Sequence, residues 1–287
     1  MRTTCMRALP ADAVDLEAYF QRIGYTGPRA DAASLETLAA LHRLHPAAIA
    51  FETLDALLQR PIALTGEAIQ QKLLRDGRGG WCYEQNLLLS HVLQSLGFKV
   101  TGLAARVRWN QPEGAVRART HCLLLVENVA GGPYIADVGF GGLTLTGPLR
   151  LVPDLEQATP HELFRLHREQ QDDYILEALV RDAWKPLYSF DLQPQQLIDY
   201  EVWNWHLCHH QTSPFISNLV AARALPDRRY GLLNNKLSIH HLQGASEQVT
   251  LATPAELREV LEGPLDIRLP DDPEMDGQLE RLVNTRT

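Results

Sequence analysis

Ser90-His91-Val92-Leu93-Gln94-Ser95-Leu96-Gly97-Phe98-Lys99-Val100-Thr101-Gly102-Leu103-Ala104-Ala105-Arg106-Val107-Arg108-Trp109 holds the point where the chain changes character. Upstream, Leu88, Leu89, Val92, Leu93 and Leu96 recur at helical spacing, and Gly97 supplies a residue that can close the helix in a left-handed turn. From Val100 the apolar period drops to two and β-branched residues rise. The boundary therefore separates a helical first part from a strand-rich second part.

Working outward toward the N-terminus, Leu16, Tyr19, Phe20 and Ile23 repeat at helical spacing before Gly24. Ser34 caps a pattern of Leu35, Leu38 and Leu41 that Pro46 is expected to end. Thr65 is a third cap, before Ile69, Leu73 and Leu74. Toward the C-terminus, alternation predicts strands over 100–109, 120–126, 134–138, 163–169, 174–180 and 184–192, with turn-rich segments between them. Consecutive short strands of this kind point to an antiparallel barrel or sandwich. Beyond them, residues 230–233 and 236–242 form a hairpin about Asn234-Asn235, and Thr253-Pro254-Ala255-Glu256 opens a helix with a capping box. The expected organisation is 1–97 helical, 98–200 strands and 201–287 mixed, packed as one body.

The bulk composition is ordinary for a globular chain: 45% hydrophobic and 22% charged over 287 residues. A net charge of -8 argues against nucleic acid or an anionic membrane as the main partner. No apolar run is long enough to span a bilayer, and the first residues lack the apolar core of a signal peptide. Cys5, Cys82, Cys122 and Cys208 are scattered, a usage that suits free thiols in a reducing cytoplasm.

Three segments carry chemistry. In Arg78-Gly79-Gly80-Trp81-Cys82-Tyr83-Glu84-Gln85-Asn86, two glycines turn the chain and leave Cys82 at the start of a helix. The unpaired N–H groups and positive dipole there favour a thiolate and could hold an oxyanion; the plain alternative is a small buried hydrophobe. In Arg119-Thr120-His121-Cys122-Leu123-Leu124-Leu125-Val126, a polar His121 opens an apolar strand and needs a partner, which could be no more than a backbone carbonyl. Strand alternation sends Cys122 to the opposite face, so Cys122 is expected to serve packing alone. In Tyr134-Ile135-Ala136-Asp137-Val138-Gly139-Phe140-Gly141-Gly142, Asp137 pairs with a partner or caps the glycine turn, and both jobs could fall to it. Together the three supply a thiol, an imidazole and an orienting carboxylate, the arrangement of a cysteine protease.

These segments resemble the arylamine N-acetyltransferases, the bacterial members above all. The matching residues are Arg78-Gly79-Gly80, Cys82, Glu84 and Asn86; Thr120-His121; and Asp137-Val138-Gly139-Phe140-Gly141. Ala50-Phe51-Glu52-Thr53-Leu54-Asp55, residues 184–190 and Ser213-Pro214-Phe215 are similar to further landmarks of the family, and the likeness runs from about Leu16 to Leu261. The resemblance implies an α+β fold: an N-terminal helical bundle, a central antiparallel β-barrel and a C-terminal α/β lid. It implies Cys82, His121 and Asp137 as catalytic residues, and acetyl-CoA as donor to an aromatic amine, hydroxylamine or hydrazine. It places acceptor contacts on Phe51, Phe140 and Gly141, and cofactor contacts on Trp109, Thr120 and Phe215. No metal is implied. Ala50 and Thr53 depart from the proline and asparagine of the family segment, and Asn204-Trp205-His206-Leu207-Cys208-His209-His210 is unusually rich in histidine.

Other readings compete. His206, Cys208, His209 and His210, with His240 and His241, could suggest zinc, but polar histidines on a lid explain them without one. Arg106, Arg108, Arg117 and Arg119 could meet CoA phosphates or form a solvated strand rim. Glu84 braces the loop below Cys82 or favours its own helix start. An amide synthase or cysteine hydrolase would use the same thiol, imidazole and carboxylate. A non-catalytic binding protein would be expected to lack one of them.

Overall fold

The computed structural model describes residues 12–29, 33–112, 114–170 and 173–284. Helices α1 (Leu16–Ile23) and α2 (Leu35–Ala48) come first, then the short strand β1 (Phe51–Glu52), α3 (Leu54–Leu57), α4 (Gly66–Gln70) and α5 (Cys82–Ser95). Gly24 ends α1 with φ 67°, and the Ser34 hydroxyl accepts the Thr37 N–H at 3.1 Å at the start of α2. The expectation that Pro46 ends α2 is corrected. Proline removes only its own N–H, and the helix runs on to Ala48, with the Ile49 N–H bonding the His45 carbonyl. Helix α5 is buried from Cys82 to Leu93, because it lies between the other helices and a sheet.

That sheet comprises β2 (Val100–Val107), β3 (His121–Val126), β4 (Tyr134–Ala136), β5 (Leu149–Arg150), β6 (Gln157–Ala158), β7 (Leu163–Gln170), β8 (Asp173–Val180) and β9 (Ala183–Phe190). The order β5-β4-β3-β2-β9-β8-β7-β6 curls it into a nearly closed barrel. Between the two end strands the Gln157 side chain bonds both the N–H and the carbonyl of Arg150, at 2.8 and 2.9 Å, in place of a backbone ladder. Alternation sends Leu103, Ala105, Leu123 and Leu125 to one core with Phe164, Leu176 and Leu187. Cys122, Leu124 and Val126 go to the other core, with α5.

β4 stops at Ala136, two residues before the alternation predicts. The Asp137 N–H is taken by His42 Nε2 and the Val138 N–H by Asn86 Oδ1, both at 3.0 Å, so neither continues a ladder.

After the barrel come α6 (Leu197–His209), β10 (Val220–Leu225), β11 (Arg228–Leu233), β12 (Lys236–His241), β13 (Glu247–Thr250), α7 (Pro254–Glu262) and α8 (Met275–Asn284). The β11–β12 hairpin pairs Leu233 with Lys236 about Asn234-Asn235, and Thr253 caps α7. The second sheet, ordered β1-β10-β11-β12-β13, buries one face against α3, α7 and α8. Its first strand is β1, from the helical part of the chain, pairing Phe51 with Ala222. No helix among the described residues is long and apolar enough to cross a membrane.

Candidate active site

Cys82 is the first residue of α5, where a helix leaves N–H groups without intrahelical partners. The loop before it is fixed by close backbone approach. Gly80 N–H bonds the Ala50 carbonyl and Glu52 N–H bonds the Gly80 carbonyl, both at 3.2 Å. A Cβ on Gly79 would stand 2.3 Å from the Ala50 oxygen, which only glycine avoids.

Beneath the loop lies a buried charge network. Arg78 donates to Glu52 at 2.7 Å and to Asp55 at 3.0 Å; Lys72 reaches Asp55 at 2.6 Å and Glu84 at 2.8 Å. Glu84 also accepts the Trp81 N–H at 3.1 Å, so it both caps α5 and braces the loop. Burial lifts its carboxyl to about 6, against the opposing pull of Lys72.

The strand register brings the imidazole and the carboxylate together. His121 Nε2 lies 2.7 Å from Asp137 Oδ2, with the two side chains 4% and 0% exposed. The other carboxylate oxygen, Oδ1, accepts from Asn86 Nδ2 at 3.0 Å and from the Gly139 N–H at 2.9 Å. Asp137 thus pairs with the cation and caps the glycine turn at once. Burial alone would raise its pKa, but the His121 charge and these hydrogen bonds hold it below the usual carboxylate range. Burial alone would likewise lower His121; the facing carboxylate raises it to about 10.

Cys82 is free and 7% exposed, and its Sγ lies 3.9 Å from the Thr120 carbonyl. Burial pushes its thiol up, yet hydrogen bonds from Cys122 and His121 and the His121 charge bring it down to about 6. The three side chains singled out in the sequence therefore converge, and the shifts run toward a thiolate beside an imidazolium.

Gly139 passes so close beneath Cys82 that a Cβ there would stand 2.7 Å from its Cα.

Cys122 departs from expectation. It does face away from His121, but the face it joins is the one α5 covers, and its Sγ donates to the Cys82 carbonyl at 3.2 Å. Reading it as packing alone left out the helix on the far side of the strand.

Phe140 packs edge-on against His121, with centroids 5.2 Å apart, and Tyr188 lies against both rings. Gly141, with φ 84°, lies over the half-buried Phe51 ring. Buried Arg229 pairs with Glu162 and donates to the Thr144 carbonyl at 2.9 Å, tying this loop to the second sheet. Phe215 packs against Trp81 at 5.7 Å, beside the start of α5. Trp109 packs on the barrel core instead, its backbone N–H bonded to the Leu187 carbonyl.

His42, Tyr188 and Cys122 were not singled out from the sequence as parts of the site. A polar His42 on an otherwise apolar helix face was the available signal, since a buried imidazole needs a partner.

The remaining candidates find other neighbours. His206 and His210 stack at 4.4 Å, Trp205 stacks on His209, and no group of three or more metal-capable side chains converges among the described residues. Arg119 pairs with Asp191, and Arg108 with Glu169 at 3.1 Å; Arg106 and Arg117 bond within the β2–β3 connection.

The N-acetyltransferase family model matches residues 34–273. An arylamine N-acetyltransferase of Mycolicibacterium smegmatis is 43% identical over 263 residues, covering 90% of this chain and 94% of its own. A Salmonella typhimurium protein, arylamine N-acetyltransferase / N-hydroxyarylamine O-acetyltransferase, is 40% identical over 86% of each chain. The solved structure of Mycobacterium marinum arylamine N-acetyltransferase in complex with CoA superposes with a TM-score of 0.87 at 39% identity, over 94% of this chain and 98% of that one. Likeness of this extent, in sequence and in backbone alike, makes the chain a member of the arylamine N-acetyltransferase family.

Proposed function

We propose that the chain transfers an acetyl group from acetyl-CoA to aromatic amines through a thioester on Cys82. The observation that carries this reading is the buried His121–Asp137 pair at 2.7 Å beside a thiol whose pKa falls to about 6. In the first half-reaction the Cys82 thiolate attacks the thioester carbonyl, and first-turn N–H groups of α5 stabilise the oxyanion. The His121 imidazolium protonates the departing CoA sulfur. In the second, the amine attacks the acetyl-Cys82 carbonyl, gives its proton to His121, and Cys82 leaves as thiolate. Asp137 keeps Nε2 of His121 engaged so that Nδ1 serves the sulfur.

The CoA-bound relative and the names of the other two support donor and acceptor class. The Salmonella name also supports acetyl transfer to the oxygen of arylhydroxylamines; hydrazines are proposed because they present the same kind of nucleophilic nitrogen. Phe51, Phe140 and Gly141 are proposed to line the acceptor side, and Thr120, Phe215 and Trp109 the CoA side. The division at residues 97 and 200 is part of the same reading. A cytoplasmic setting fits the free thiols of Cys82, Cys122 and Cys208. Intact mass after mixing with acetyl-CoA tests the reading: one acetyl group is expected on wild type and none on Cys82→Ala. Product formation without a detectable acetyl-enzyme would overturn it.

A further inference from the structure

We propose that Cys82 and Cys122 form a reversible disulfide when a peroxide enters the site, so that Cys122 shields the nucleophile from irreversible oxidation. This rests on the reading above only in taking Cys82 as the reactive thiol.

Both cysteines are free, and the Cys122 Sγ reaches the Cys82 backbone at 3.2 Å. Each thiol also shifts the protonation of the other, as neighbouring side chains do. Exposure sets the order of events, because Cys82 is 7% exposed and Cys122 only 1%. A small peroxide meets Cys82 first, and Cys82 is also the thiolate, the form that peroxides oxidise. Burial, with the neighbouring Cys82 charge added, holds the Cys122 thiol well above its ordinary range, so it stays protonated in the resting enzyme. Cys208 sits elsewhere, on α6 with its thiol against the Ile62 backbone.

The chemistry balances with hydrogen peroxide as oxidant. The Cys82 thiolate attacks one peroxide oxygen, the O–O bond breaks, and the hydroxide released takes the proton of the His121 imidazolium to leave as water. Cys82 is then a neutral sulfenic acid, and the Cys82 charge no longer adds to the burial that raises Cys122. The Cys122 sulfur attacks the Cys82 sulfur, the S–O bond breaks, and the departing hydroxide takes the Cys122 proton as a second water. Two thiols have lost two electrons and the peroxide has gained them. A dithiol reductant returns both cysteines to the starting state.

The test treats the full-length protein with a small excess of hydrogen peroxide and blocks remaining thiols with N-ethylmaleimide. Intact mass and non-reducing peptide mapping then read the product. Wild type is expected to lose two hydrogens, to yield a linked Cys82–Cys122 peptide, and to regain most of its activity with dithiothreitol. Prior acetylation by acetyl-CoA should block the link. Cys122→Val is expected to gain two or three oxygens at Cys82 and to recover little of its own untreated activity. The idea fails if wild type gains those oxygens with no link, or if Cys82 links to Cys5 or Cys208 instead. Mapping of wild type decides this even if the variant folds poorly. A link in a protein that acetyl-CoA never acetylates would sink the proposed transferase mechanism while leaving the disulfide standing.

Discussion

Asp137 meets His121 through Oδ2 at 2.7 Å and spends its other oxygen on Asn86 and its own turn. The carboxylate is held from both sides, so the imidazole is oriented by a group that cannot itself swing. Asp137→Asn should therefore keep the fold and lose turnover by roughly ten-thousand-fold, the size of the analogous change in a serine-protease triad. Circular dichroism and kcat check the two halves of that statement. A folded variant within tenfold of wild type would reduce Asp137 to a turn cap.

The pH dependence follows from a thiol lowered to about 6. A lowered acid pKa means that thiolate is present above that pH and is lost as pH falls through it. Single-hit alkylation of Cys82 by iodoacetamide should show its midpoint near 6, well below the free-thiol value of about 8.5. In Asp137→Asn, which loses the partner that raises His121, the midpoint should move upward. Superimposable profiles would mean that Asp137 contributes nothing to the thiolate.

Gly139→Ala places a methyl group where Cys82 Cα stands 2.7 Å away. Backbone must shift, and displacing a reacting group by about 1 Å costs on the order of a hundredfold in rate. Burst formation of acetyl-enzyme should slow by about that factor. An unchanged burst would show that the turn yields without moving the nucleophile.

Lys72→Met leaves Glu84 buried without its cation and Asp55 with Arg78 alone. Breaking a buried pair from one side costs about 3–5 kcal/mol. Urea unfolding should show a loss of that order, and adding Glu84→Gln should return part of it. A loss under about 1 kcal/mol would mean that water reaches the network.

Phe140→Ala should slow acetyl transfer to an arylamine more than acetylation of Cys82, since aromatic contacts add about 0.5–1.5 kcal/mol beyond area burial. Equal losses in both half-reactions would assign Phe140 to supporting His121, the ring it touches at 5.2 Å.

The sequence carried much of this architecture in plain form. The switch of period at Val100, the caps at Ser34 and Thr253 and the turn at Asn234 are local signals, and local chemistry decides them. Cys82, His121 and Asp137 were legible because each is costly to bury or exposed to a helix dipole, and so demands a partner. What stayed hidden depends on pairing across long separations. Alternation gives the face on which Cys122 lies but not that α5 covers it. A two-residue strand such as β1 has no period to read, and the Gln157 seam is made by a side chain that looks like any surface glutamine. Pro46 misled because a proline deletes one hydrogen bond, and tertiary packing can outweigh that loss.

The short strand β1 has a consequence for how the molecule comes into being. It shelves the Gly79–Gly80 loop on one side and pairs with β10 on the other. During synthesis the helices and barrel emerge well before Val220–Leu225, so the shelf lacks its outer neighbour until most of the chain has left the ribosome. Pairing across so long a span costs more chain entropy than a local helix or hairpin does. The outer support of the Cys82 loop is thus completed late, by a strand that follows His121 and Asp137 by more than eighty residues of chain.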